Sequence, residues 1–180
     1  FPLLRDNKVW MGCTIHSGDR EFGVPDEYPL EAAGCRIDEN GKKYIRVKGV
    51  RWYTNIDHGR RHNPLSLMSM ADNIKYSKHK DIQGKKYQHY DNYDAIEIPY
   101  TDAIPCDYEN LMGVPVTFLD KYCPEQFDII WQACGNTRAS APKEILDEVG
   151  YTIHPEDRGG CGVVNNKRQY ARILIRKKHL

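Results

Sequence analysis

The chain has no apolar run near the ~20 residues needed to span a bilayer, and no signal-peptide or transit-peptide character at its start. A membrane protein is therefore not expected, and the sequence reads as cytoplasmic. The N-terminus, Phe1-Pro2-Leu3-Leu4, has no initiator Met and reads as a cut inside a longer protein. Close cysteine pairs are missing as well: the six cysteines are scattered, none nearer than eleven residues to the next. That spacing speaks against a zinc site or a disulfide scaffold and for reduced structural thiols, with no metal. No G-x-G-x-x-G follows a strand, and there is no G-x4-G-K-[ST], H-E-x-x-H or G-x-S-x-G. Gly159-Gly160-Cys161-Gly162 is glycine-rich but precedes a hairpin rather than a helix, so a turn is expected there. His16, Ser17 and Asp19 are too close in sequence to form a hydrolytic triad, whose members normally converge from distant segments.

What is present is charge sorted along the chain. Residues 1–41 carry four basic and eight acidic side chains, and residues 42–90 carry twelve basic and three acidic, with four of the seven histidines. Residues 91–157 carry three basic and fourteen acidic side chains, and residues 158–180 carry seven basic and none acidic. Together they leave a net charge of only +1. A basic surface set against an acidic one suits contact with phosphate, unless the two signs pair within the fold.

Local signals describe an α+β, strand-rich chain. Lys8–Thr14 reads as a short strand, and Asn40-Gly41 marks a hairpin because both residues accept positive φ. A long strand is expected over Lys43–Ile56, with its apolar phase shifting at Gly49 as at a β-bulge. Val50, Trp52 and Ile56 then form an apolar set, opposite Arg51, Tyr53 and Asn55. Residues 57–93 lack a period, apart from a short helix around Met70 to Lys78 with Asp72 near its start. Further expectations are a strand at Asp94–Ile98, loop over Ile104–Gly113, extended chain at Val116–Leu119 and a buried strand at Phe127–Cys134. A helix follows at Pro142–Val149, with Gly150 just past its end. Cys161–Lys177 reads as a hairpin turning at Asn165-Asn166-Lys167, its last strand placing Ala171, Ile173 and Ile175 on one face.

The chemistry is concentrated in the basic stretch, where aromatic residues interleave with cations. Trp52, Tyr53, Tyr76, Tyr87, Tyr90 and Tyr93 lie among Arg46, Lys48, Arg51, Arg60, Arg61, Lys85 and Lys86. Cations of this kind neutralise phosphates, and exposed aromatic faces stack on unpaired bases, although strand aromatics more often serve a core.

The stretches FPLLRDNKVWMG (1–12), HSGDREFGVPDEYPLEAAGCRIDENGKKYIRVKGVRWYTNID (16–57), NYDAIEIPYTDAIPCDYENLMGVPVTFLDKYCPEQFDII (92–130) and NKRQYARILIRKK (166–178) resemble the adenine-specific methyltransferases of the EcoRI modification-methylase family. The resemblance implies methyl transfer from S-adenosylmethionine to N6 of adenine in double-stranded DNA, with the base flipped from the duplex, in restriction-modification. The family's Asn-Pro-Pro-Phe-type motif and cofactor loop are expected upstream of this chain. Asn63-Pro64-Leu65 lacks the second proline and the aromatic, so no catalytic or cofactor-binding residue carries over.

What the resemblance leaves to this chain is the C-terminal part, expected to be inactive alone and to partner the upstream catalytic half. Its fold would be the end of a methyltransferase-type α/β sheet plus β-hairpins and long loops. The last strands of that sheet are placed in residues 1–57, a basic loop region in 58–93, and a mixed α/β recognition part in 94–180. Tyr53 is expected to stack on the target base and Trp52 to face the core, although either could take the base. Arg46, Lys48, Arg51, Asn55, Arg60, Arg61, Lys85 and Lys86 are expected to contact DNA. The alternative is a stand-alone DNA-binding module without catalytic activity.

Overall fold

A computed structural model describes residues 1–12, 19–29, 34–48 and 50–178, and it confirms an α+β, strand-rich architecture. The helices are Pro2–Arg5 (α1), Met70–Tyr76 (α2) and Lys143–Glu148 (α3). The strands are Trp10–Met11 (β1), Asp19–Val24 (β2), Cys35–Ile37 (β3), Lys43–Lys48 (β4), Tyr53–Thr54 (β5), Ala95–Glu97 (β6), Leu111–Pro115 (β7), Phe127–Ala133 (β8), Val163–Val164 (β9), Lys167–Arg168 (β10) and Arg172–Lys177 (β11). The chain divides into two compact units, one of residues 1–10 with 55–180 and one of residues 11–54. No helix among the described residues is long and apolar enough to cross a membrane.

The larger unit is built on a four-stranded mixed sheet in the order β6-β7-β11-β8. β11 runs antiparallel to both of its neighbours, and β6 runs parallel to β7. Ile173, Leu174 and Ile175 are all buried, so the final strand is covered on both faces. The pairing explains how. β8 carries one extra residue between Trp131, opposite Leu174, and Ile129, opposite Ile175. This bulge lets successive apolar residues on β8 serve different faces. Leu174 and Trp131 join a cluster with Tyr90, Tyr93, Leu111, Val149 and Val164. Phe118 and Phe127, in edge contact at 5.3 Å, form a second buried aromatic pair.

A buried polar group is built into this sheet. The Arg172 guanidinium reaches the Glu97 carboxylate at 2.6 Å, with both side chains about nine-tenths covered. The Tyr90 hydroxyl donates to the same carboxylate. Tyr90 can lie there because Gly113 and Gly162 have no side chains, and a Cβ at either would overlap its ring. Burial next to Glu97 pushes the Tyr90 hydroxyl well above the ordinary phenol range, so it stays a donor.

Several local expectations hold. Asp38–Lys42 makes the turn between β3 and β4, with Gly41 at φ 79°. Asn165 and Asn166, both at positive φ, close the two-residue turn between β9 and β10. Ser69 caps α2 by accepting the Asp72 N–H at 3.0 Å. Gly150 follows α3 at φ 60°.

Others are corrected. The long strand over Lys43–Ile56 is two pieces, because β4 is hydrogen-bonded between β2 and β3 while the Trp52 carbonyl accepts from Gly12. The shift expected at Gly49 lies outside the described residues, as do His16 and Ser17. Residues 111–113, the end of the stretch read as loop, lie in the buried strand Leu111–Pro115, and residues 116–119, read as extended, lie in a 3-10 turn over Val116–Lys121. β11 is not the return arm of the Asn165-Asn166 hairpin but crosses to β7 and β8.

Removing one member of a buried ion pair leaves the other uncompensated, at a cost on the order of 3–5 kcal/mol. Arg172→Met keeps most of the apolar stem, so its unfolding free energy from urea titration, followed by tryptophan fluorescence, is expected to fall by that amount, with a lower midpoint. A midpoint equal to wild type would show that the pair contributes no net stability.

Candidate nucleic-acid interface

In the smaller unit, strand pairing sorts the side chains of a three-stranded antiparallel sheet, β2-β4-β3. Glu21 lies opposite Arg46, and Arg36 opposite Tyr44, so all four share one face by the period-two rule. On the other face Phe22 pairs with Ile45, which pairs in turn with Cys35. The polar face is organised around Glu21. Arg36 grips its carboxylate with two nitrogens, the shorter contact being 2.8 Å, and Arg46 stands 4.0 Å away. The Arg36 guanidinium also lies 4.4 Å from the Tyr44 ring centroid. The hydrogen bond from Arg36 holds the Glu21 carboxyl below the usual range, and the same contact raises Arg36. Arg46 and Lys48 are both exposed on β4, and Arg51 is half-buried beyond it.

Trp52 and Tyr53 follow in sequence, and both rings are open to solvent, 59% and 47% exposed. This corrects the expectation that Trp52 faces the core. The alternation of Val50, Trp52 and Ile56 with Arg51, Tyr53 and Asn55 implied a buried face, but Ile56 is 73% exposed as well. The reason is local: β5 spans only Tyr53–Thr54, so Trp52 and Ile56 lie outside it, where strand alternation does not apply.

In the larger unit the predicted cations divide. Arg60 is half-exposed and pairs with Asp120 at 3.0 Å, beside a cleft of about 410 Å³ lined also by Asn63, Ser66, Asp102 and Lys121. Arg61, its neighbour in a 3-10 turn over Gly59–His62, is only 8% exposed. Its guanidinium lies 3.4 Å from the Trp10 ring centroid and donates to Asn7 at 2.6 Å. Arg61 is therefore not available to a phosphate, because its planar head is already stacked and bonded inside the protein. Asn55 is exposed, and Lys85 and Lys86 are exposed in a loop between the buried Ile82 and the half-buried Tyr87. Burial pushes the Tyr87 hydroxyl up to about 12, and it donates to the Ala103 carbonyl at 2.7 Å.

Sequence reasoning missed His62. Its two ring nitrogens meet Glu125 at 2.7 Å and Asp57 at 2.9 Å. Both partners are acceptors, so satisfying both contacts requires the doubly protonated ring. The Asp57 contact, then Glu125, raises the imidazole above its ordinary range. Glu125 in turn is held down at about 2 by the Cys123 thiol first and His62 second. The only sequence signal was a histidine within a charged run, and nothing there indicated a carboxylate 63 residues away.

Among the described residues no group of three or more histidines, cysteines or acids could hold a metal ion. The glycine-rich run does not fit a cofactor either. A Cβ at Gly160 would stand 2.6 Å from Thr137 Oγ1, and one at Gly159 3.3 Å from the Asn136 nitrogen. Gly160 packs against Thr137, Arg138 and Cys134, and Gly159 against Asn136.

The chain matches the family described as adenine-specific methyltransferase EcoRI across residues 1–178. It belongs to that family. Among curated relatives it is 37% identical to the type II methyltransferase M.EcoRI of Escherichia coli, over its whole length and 46% of the relative. It is 32% identical to the type II methyltransferase M.MgeORF184P of Mycoplasma genitalium, covering all of this chain and 53% of the other. Identity to M.MpnI of Mycoplasma pneumoniae is 26%, over 99% of this chain and 52% of the relative. The chain thus spans about half the length of the curated relatives it matches. No solved structure matches it significantly.

The His62 contacts predict a specific pH dependence. A histidine raised in the folded state stabilises fully below the unfolded value of about 6.5, and that stabilisation fades as pH rises through the raised value. Asp57 and Glu125 are lowered, so their share is lost as pH falls through the carboxylate range. His62→Gln should therefore lower the melting temperature most at mildly acidic pH, with the gap closing at alkaline pH. A gap independent of pH would show that no proton linkage exists.

Proposed function

We propose that this chain is the C-terminal, DNA-facing part of an S-adenosylmethionine-dependent DNA adenine-N6 methyltransferase that serves restriction-modification, and that it supplies DNA binding and target-base recognition. The observation that carries this reading is the family match over nearly the whole chain, 1–178. Methyl donor and catalytic motif would come from the portion of the relatives' length that this chain does not span.

Within this reading Tyr53 stacks on the extrahelical adenine, and Trp52, equally open, is the second candidate for the same contact. Exposed aromatic faces are what a flipped base requires. Arg46, Lys48 and Arg51, which precede them in the smaller unit, neutralise phosphates there. Arg60, Lys85 and Lys86 do so in the larger unit, with Asn55 as a neutral hydrogen-bonding contact. Arg61 acts instead by holding Trp10.

In the full-length enzyme, Tyr53→Ala should lower methylation far more than it lowers the melting temperature; unchanged turnover would remove Tyr53 from the base contact. Arg60→Ala and Arg61→Ala should separate. The first should weaken DNA binding and reduce the slope of log affinity against log salt by about one. The second should mainly lower stability, because it strips the Trp10 face. Equal salt slopes for wild type and Arg60→Ala would exclude a phosphate contact there.

A further inference from the structure

A second aromatic feature, made of other residues than those already assigned to the base, lies in the larger unit. A cavity of about 250 Å³ is lined by Met68, Tyr76, Ser77, Lys78, His79 and Asp102. This is below the roughly 300–1,000 Å³ of clefts that enclose drug-sized ligands, so it suits a single ring system. Its walls are aromatic and soft. Tyr76 is 61% exposed, with the Lys75 ammonium 4.8 Å from its centroid, and Met68 offers a thioether. The His79 ring is stacked on Tyr100 at 3.7 Å and 4°, and Tyr100 is itself bonded to Asp81 at 3.0 Å.

The polar element of the cavity is Asp102. Its two carboxylate oxygens take Lys78 at 2.7 Å and His79 at 2.8 Å. A carboxylate has about four acceptor positions, so capacity remains for an N–H at the edge of a ring.

The frame around the cavity is fixed. The Met68 carbonyl accepts the Cys106 N–H at 2.9 Å, the Ser77 N–H closes α2 onto Asn73, and Gly84 N–H bonds to Ile74. Asn73 is fully buried, and Ile82 is 4% exposed. Around this frame residues 75–86 carry Lys75, Lys78, Lys80, Lys85 and Lys86 against one acid, Asp81. All five lysines are exposed. An open aromatic wall for a base, ringed by flexible cations for phosphates, is the combination by which unpaired nucleic acid is held.

We propose that this cavity takes one unstacked nucleobase of the bound DNA. Tyr76 and the braced His79 ring supply the stacking wall, Asp102 accepts from the base edge, and Lys75, Lys78 and Lys80 hold the flanking phosphates. This rests on the reading of the chain as DNA-binding and adds a second base site to it.

The test compares two fluorescent strands on the full-length protein: an oligothymidylate, and an abasic strand with the same number of phosphates. Stacking is worth about 1–3 kcal/mol per base, so wild type should prefer the base-bearing strand by roughly fivefold or more. Tyr76→Ala should cut that preference severalfold, leaving the share due to Tyr53 and Trp52, Tyr76→Phe should retain it, and both should keep the wild-type melting temperature. Lys78→Ala should weaken both strands alike and flatten their salt dependence.

Equal affinity of wild type for the two strands would overturn the proposal. So would a preference that Tyr76→Ala leaves unchanged, which would place the base in another pocket. If a duplex binds and neither single strand does, the cavity proposal falls and the DNA-binding reading stands. If no nucleic acid binds, both fall.

Discussion

The larger unit depends on a constraint at the centre of its sheet, where a glutamate and an arginine are buried together. Glu97 on β6 and Arg172 on β11 belong to strands separated by β7. Their contact therefore crosses the sheet and fixes the relation of three strands. Tyr90 completes the group and can reach it only because Gly113 and Gly162 leave room for its ring. Apolar burial supplies most of the driving force in such a core but is indifferent to small slips. A buried charge pair is not, because one missed contact leaves an ion without water or partner.

A sheet fixed in this way leaves other segments free to carry function. The stretch from Ser69 to Tyr87 is anchored by, among others, the Ser69 cap, buried Asn73 and Ile82, His79 on Asp102 and the Tyr87 hydroxyl on Ala103. Between those anchors its lysines remain in solvent. The acidic middle of the sequence does not simply cancel the basic stretch. Asp120 takes Arg60 and Asp102 takes Lys78, while Glu97 and Asp157 are spent inside the fold. Charge segregation along the chain thus becomes partly internal pairing and partly exposed cation.

Much of the secondary structure was legible before the fold was known. Turn residues carried the clearest information: Asn40-Gly41, Asn165-Asn166 and Gly150 each stand where positive φ or a turn was expected, because side-chain sterics at those positions are local. Strand β8 was legible as a short, strongly apolar run. β7 was not, because Gly113 and Pro115 resemble loop residues when the Tyr90 ring that needs the glycine is unknown. The aromatic pair Trp52 and Tyr53 was found by its basic surroundings, yet alternation assigned Trp52 to a core it does not enter. A period-two pattern carries meaning only where a strand is long enough and paired enough to have two faces, and β5 is neither.

The sequence by itself determined the family, through long runs of shared residues, and the local turns and helix ends, through backbone sterics. It also determined that a glycine loop suited to a cofactor does not precede a helix in this chain. Only the tertiary structure decided which cations face water. Arg60 and Arg61 are adjacent and chemically identical, but one reaches Asp120 at the surface and the other is stacked on Trp10 from fifty residues earlier. His62 likewise acquired one of its two carboxylates, Glu125, from a distant segment. The physical reason is that solvation and charge pairing are set by neighbours in space, and these come from parts of the chain that no local pattern connects.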